Sequence, residues 1–280
     1  MKIKSFKNKN IHLFGGSSGI GLETAKQLAY LGANLFIYAR TESRLEAATI
    51  EIKKQCLNND QKADWVSVNI ADPVEVKLAI KSTIEKYGAP DILINCAGRA
   101  YPAHFEAISY SQFEETMKVN LFGIWNSTQS ILPYMKQKGG LIVNTSSVAG
   151  YVGIFGYTDY AASKFGIIGL SEALRSELKQ YNIGVSVLCP PDTETTGFEI
   201  ENQTKPAETK AISQGAGMMK PEEVAADLIK GMQSGKHMII PGFDGKLTYY
   251  VKRWLPWLLE RIIDRDVLKA QKQAALGEGL

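Results

Sequence analysis

Short apolar runs alternate along this chain with stretches whose hydrophobic residues return every three to four positions. The runs at 10–14, 34–38, 64–68, 91–95, 140–145, 184–189 and 237–240 read as strands. Helical spacing covers 20–31, 42–57, 73–87, 111–137, 159–180 and 221–233, as in Ile20, Leu22, Ala25, Leu28 and Ala29. This alternation predicts a single doubly wound α/β domain of the Rossmann type, a parallel sheet of about seven strands with right-handed crossovers and helices on both faces. The domain is expected over 1–245, followed by an amphipathic, aromatic and basic extension over 246–280. Pro190 to Lys220 is the longest segment without a clear period. A loop that long in a compact domain is usually a lid or binding loop, although its Glu, Thr and Lys content also suits a disordered surface insertion.

Composition narrows the classes. A chain of 280 residues, 45% of them apolar, can bury a large core in one domain, and could also hold two small ones. The net charge of +3 is the balance of 32 basic and 29 acidic residues, too even for a nucleic-acid binder. Cys56, Cys96 and Cys189 fit neither a disulfide framework nor metal spacing, so a reducing, cytoplasmic setting and no metal are expected. Met1 to Asn10 is basic and polar, unlike a secretory signal. His12, His104 and His237 have no partners in sequence that would make them ligands.

Two patterns carry chemistry. Tyr160 and Lys164 stand at i and i+4, which stacks them on one helix face. An ammonium beside a phenol favours the phenolate, so Lys164 is expected to lower the Tyr160 pKa toward the range useful for acid–base work. Near the N-terminus, Phe14-Gly15-Gly16-Ser17-Ser18-Gly19-Ile20-Gly21 joins a strand to a helix. Glycines there let backbone approach a pyrophosphate, which the first N–H groups and the dipole of the helix would hold. Its Gly-x-x-x-Gly-x-Gly spacing differs from the usual Gly-x-Gly-x-x-Gly fingerprint. After the second strand comes Ala39, with no carboxylate for a ribose hydroxyl, then Arg40 and, one turn on, Arg44. Guanidinium forks suit a 2′-phosphate, so NADP(H) is the expected cofactor. The plainer reading makes both arginines ordinary surface charges at a helix start.

Taken together, the glycine turn, Asn95-Cys96-Ala97-Gly98, Asn120, Ser147, Tyr160 and Lys164 resemble the short-chain dehydrogenase/reductase family in order and spacing, over about residues 9–240. The resemblance implies a catalytic tetrad of Asn120, Ser147, Tyr160 and Lys164. Ser147 would bind a substrate carbonyl, Tyr160 would protonate it, Lys164 would hold the nicotinamide ribose, and Asn120 would order a water beside Lys164. The interval of thirteen residues to Tyr160 selects Ser147 over Ser146. Cofactor contacts are expected from Gly15, Ser17, Ser18, Gly19, Ile20, Gly21, Arg40, Arg44, Asn69, Ile70, Asn95, Ala97, Gly98, Tyr160, Lys164, Pro190, Thr193 and Thr195. For the two threonines, local turn bonding is the competing reading. Phe14 and Asn69 depart from the family's usual Thr and Asp.

The stretch Cys189-Pro190-Pro191-Asp192-Thr193-Glu194-Thr195-Thr196-Gly197-Phe198-Glu199 is similar to the branch of that family acting on long-chain sphingoid ketones, with Thr196 in place of a proline. The resemblance therefore implies NADPH-dependent reduction of a lipid-like ketone. Other such ketones, a steroid or a 3-oxoacyl chain, stay open, as does a non-catalytic NADP-binding sensor of the same fold. A homo-oligomer is expected. Leu247 to Ile263 interleaves Tyr249, Tyr250, Trp254, Trp257 and leucines with Lys252, Arg253 and Arg261, and Pro256 interrupts it. That pattern suits a segment lying peripherally on a membrane face, or one packing on the domain or a sister subunit.

Overall fold

The computed structural model describes residues 1–214 and 217–276; positions 215–216 of the expected 190–220 loop and 277–280 of the extension lie outside them. Seven strands form one parallel sheet: β1 Asn10–Phe14, β2 Asn34–Ala39, β3 Ala63–Ser67, β4 Ile92–Asn95, β5 Gly140–Thr145, β6 Ile183–Leu188 and β7 Met238–Ile239. Their order is β3-β2-β1-β4-β5-β6-β7. The chain thus winds outward one way from β1 and then the other way from β4, which opens a crevice between the carboxyl ends of these two strands.

The strands are apolar on both faces because both are covered. Alternate residues point to opposite sides. Ile11, Leu13, Leu35 and Ile37 meet helices α1 Gly19–Tyr30, α2 Glu42–Lys54 and α9 Pro221–Ser234 through Leu28, Leu45 and Leu228. Phe14, Phe36, Tyr38 and Leu93 meet the opposite layer, containing α3 Pro73–Tyr87, α5 Gly123–Met135 and α6 Thr158–Glu177. His12 is buried in this second layer. Its Nδ1 lies 2.7 Å from the Tyr38 hydroxyl, and burial lowers its pKa to about 3, so it serves the core as a neutral ring.

Three segments differ from the sequence pattern. The helix expected over 111–137 is α4 Tyr110–Met117 and α5 joined by a π turn at Lys118–Phe122. The long loop contains two helices, α7 Thr196–Thr204 and α8 Ala207–Gln214. The aromatic extension is two helices, α10 Phe243–Trp254 and α11 Pro256–Ala275, and the break falls at Pro256, which opens the second helix where its missing N–H costs nothing.

Candidate active site

A cleft of about 500 Å³ runs over the carboxyl ends of β1 and β4. The glycine turn forms one wall. Gly15 has φ of +83°, and a Cβ there would lie 2.6 Å from the Ala97 backbone nitrogen. A Cβ on Gly21 would meet the Gly15 carbonyl oxygen at 2.1 Å. Only hydrogen fits at either place, and the result is a bare backbone cradle. Ser18 caps α1 in an extended conformation without a side-chain bond to the helix. The first N–H groups of a helix have no acceptor within it, and those of α1 stand at this wall. Ser17, Gly19 and Ile20 complete it.

Arg40 and Arg44 line the same cleft beyond the end of β2, both exposed. Asn69 and Ile70 border it nearby. Asn69 Oδ1 accepts from Ala71 N at 3.1 Å, leaving its amide nitrogen as the available donor. Ala97 and Gly98 form the floor beside Pro190, Thr193 and Thr195. Both threonines make local bonds: Thr193 Oγ1 donates to Pro191 O at 2.8 Å, and Thr195 Oγ1 accepts from Phe198 N at 3.1 Å as the cap of α7. Thr195 also touches the glycine turn, since a Cβ on Gly19 would come within 2.9 Å of its methyl.

Two expected residues do not reach the cleft. Asn95 ends β4 with its amide turned into the sheet, donating to Asn144 Oδ1 at 2.9 Å and accepting from Ser127 Oγ at 2.8 Å. It fixes the strand that carries Ala97 and Gly98. Asn120 sits fully buried in the π turn. Its Oδ1 accepts from Arg99 N at 2.9 Å, and its Nδ2 donates to Arg99 O and Ser163 Oγ, each at 3.0 Å. Ser163 Oγ in turn donates to Tyr160 O at 2.7 Å. Asn120 therefore clamps the loop after β4 to α6. A Cβ on Gly98 would stand 3.4 Å from Asn120 Oδ1 and 3.5 Å from Lys164 Nζ, so the bare glycine keeps open the space between these two groups.

Ser147, Tyr160 and Lys164 converge on the far wall. The neighbouring Ser146 is turned away, its Oγ donating to Lys164 O at 2.8 Å. Ser147 Oγ accepts from Ala149 N at 3.1 Å and lines the cleft beside Tyr160. Lys164 Nζ donates to Thr145 O at 3.0 Å and lies 5.4 Å from the centre of the Tyr160 ring. Burial lowers the Lys164 ammonium to about 8.

The expectation that Lys164 would lower the Tyr160 pKa is not met. Burial raises it most, the carboxylates of Glu201 and Asp192 raise it further, and the nearby Ser147 hydroxyl opposes them. Burial is the larger cause; the charge comes from a group of residues for which the sequence reading gave no role. Tyr157, whose ring centre is 5.6 Å from that of Tyr160, donates its hydroxyl to Glu201 Oε1. Lys205 Nζ lies 3.2 Å from Glu201 Oε1 and 3.6 Å from Asp192 Oδ2, with its side chain 1% exposed. Its angles are poor for a hydrogen bond, so charge holds it there, over the Phe198 ring at 4.0 Å. Burial raises the Glu201 carboxyl, while Tyr157 and Lys205 pull it down. The Glu201–Lys205 spacing of four residues would have been a signal had a helix been recognised here.

Such an arrangement can hold a dinucleotide along the glycine wall and a carbonyl between Ser147 and Tyr160. The short chain dehydrogenase family matches residues 9–206. The 3-ketodihydrosphingosine reductase of Bos taurus is 42% identical over 233 residues, spanning 82% of this chain and 70% of that protein. A 3-dehydrosphinganine reductase of Danio rerio is equally similar, with 42% identity and the same coverage. Among solved structures, a short chain dehydrogenase/reductase from Burkholderia phymatum in complex with NAD aligns with a TM-score of 0.75 over 85% of this chain and 90% of that one. At 22% identity, that likeness speaks for the fold. By fold, cleft and a match across most of its length, this chain belongs to the short chain dehydrogenase family and is an oxidoreductase.

Proposed function

We propose that this enzyme reduces the 3-keto group of a long-chain sphingoid base to the secondary alcohol with NADPH. The observation that carries the reading is the single cleft in which the Ser147 and Tyr160 hydroxyls face a glycine cradle, with the Lys164 ammonium buried behind. The cradle would hold the pyrophosphate of a dinucleotide, whose nicotinamide would supply hydride. Ser147 orients the ketone oxygen, and Tyr160 donates a proton as negative charge grows there, so both act on the transition state more than on the ketone itself. The raised Tyr160 pKa keeps the phenol protonated and ready to donate. Lys164 offers its ammonium to the nicotinamide ribose, and Asn120 fixes the helix that carries both residues. Arg40 and Arg44, with Ala39 in place of an acid, favour the 2′-phosphate of NADPH over the bare hydroxyl of NADH.

Substrate choice rests on the relatives' names and on one wall of the cleft. Glu201 and Asp192 both line it and both add negative potential at Tyr160. A 3-keto sphingoid base carries an ammonium on the carbon next to its ketone, which such a wall attracts; steroids and 3-oxoacyl chains carry none. The test is NADPH oxidation with 3-ketosphinganine, a steroid ketone and a 3-oxoacyl thioester. The sphingoid ketone is expected to give the highest kcat/KM, by about tenfold or more for one charge-assisted contact. A higher value for either competitor would reassign the substrate.

A further inference from the structure

Helices α10 and α11 turn only one side toward the domain. Tyr249, Leu259 and Ile263 pack against Tyr151, Val152 and Val187, and the Tyr151 hydroxyl donates to Gly245 O at 3.0 Å. The opposite side of α10 faces water. On it Phe243, Leu247, Tyr250 and Trp254 are 75%, 51%, 59% and 73% exposed. Their spacing gathers all four within about 60° of the helix circumference at 100° per residue. Single exposed apolar residues are ordinary, but a continuous stripe of four large ones marks an interaction face.

Charge says what the face meets. Lys246 and Arg253, both exposed, follow one edge of the stripe. Over α10 as a whole, Lys246, Lys252 and Arg253 outnumber Asp244, three against one, a net charge of +2. Aromatic rings bordered by cations suit the headgroup level of a bilayer and its anionic lipids. No helix among the described residues is long and apolar enough to cross a membrane, so contact through α10 would lie along the surface.

We infer that the Phe243–Leu247–Tyr250–Trp254 face of α10 docks on an anionic bilayer surface, with the stripe at the headgroup boundary and Lys246 and Arg253 against lipid phosphates. This face is narrower than the Leu247–Ile263 segment, because Tyr249, Leu259 and Ile263 are occupied by the core. Docking there would place the bilayer next to two elements that wall the cleft. Tyr151 ties α10 to the turn that follows Ser147, and α11 packs on α8, whose Ile212 lines the cleft.

Sedimentation with vesicles tests this without reference to the reaction. The full chain should co-sediment with mixed phosphatidylcholine–phosphatidylglycerol vesicles and about tenfold less with phosphatidylcholine alone. Leu247→Ser with Trp254→Ser should lower vesicle binding by about tenfold or more while the melting temperature by circular dichroism stays near the wild type, since both side chains are exposed. Lys246→Glu with Arg253→Glu should remove the preference for anionic vesicles. The inference is overturned if the wild-type chain stays in the supernatant with both vesicle types, or if the Leu247→Ser, Trp254→Ser variant sediments as the wild type does. A fall in that variant's mass by light scattering, with vesicle binding unaltered, would assign the face to a second copy of the chain and also overturn it.

Discussion

Lys164 is the group whose charge changes nearest to neutrality in the cleft. Burial lowers its pKa to about 8, while Tyr160 is raised above its ordinary value. Below pH 8 the ammonium is present; as pH rises through 8 it is lost, well before the phenol ionises. A plot of kcat/KM against pH for a ketone without an amine should therefore fall on the alkaline side near 8, and that limb belongs to the lysine. In Lys164→Arg the guanidinium stays charged, so any remaining activity should lack the limb. A limb at the same pH in that variant would move the assignment to another group. Two further side chains make separable claims. Arg40→Ala should weaken NADPH binding by about 1.5–3 kcal/mol and leave NADH binding nearly unchanged, because only NADPH brings a 2′-phosphate to that corner. Equal weakening in a fluorescence titration would make Arg40 a structural residue. Glu201→Gln keeps an acceptor for Tyr157 but removes the charge. It should raise KM for 3-ketosphinganine several-fold and leave the KM of a ketone without an amine nearly unchanged, whereas its effect on kcat through Tyr160 should be shared; equal changes in KM for both would show a general loss of shape.

The glycine turn is the element on which the cofactor wall depends. A methyl at position 21 would stand 2.1 Å from the Gly15 carbonyl oxygen; the methyl is fixed to its Cα and the oxygen belongs to backbone, so neither can swing away. Gly21→Ala should thus weaken NADPH binding by about tenfold or more even in protein that still folds, checked by titration beside a circular dichroism melt. This element was legible from sequence because glycine announces backbone that no other residue can adopt. The strands were legible too, since a sheet covered on both faces needs continuous apolar runs. α7 and α8 were not: they are 9 and 8 residues long, and α7 buries none of its side chains, so no apolar stripe announced it. The acidic wall was hidden with them, and with it the charge that adds to burial in raising the Tyr160 pKa. Nor does periodicity reveal the π turn around Asn120, which is a change of hydrogen-bond register within an unbroken helical pattern. The direction of the Asn95 side chain was not legible, because a motif gives order along the chain but not the direction of a side chain. In β4 it faces Asn144, its register partner on β5, and not the cleft.

Across the whole molecule, a parallel sheet sets the glycine wall on β1, the floor after β4 and the hydroxyl wall after β5 around one crevice. Helices α7 and α8 cover that crevice from the side where the acidic residues stand. The bilayer-facing helix α10 is attached next to the same wall. The proposed reaction requires Tyr160 to pass a proton to a ketone oxygen in this crevice. The most direct measurement is kcat/KM for 3-ketosphinganine with NADPH in Tyr160→Phe, alongside NADPH affinity. The ring and its packing are kept, and the donor alone is removed. The account predicts a fall of about 10² or more in kcat/KM with NADPH affinity near that of the wild type. Near-normal turnover in Tyr160→Phe would contradict it.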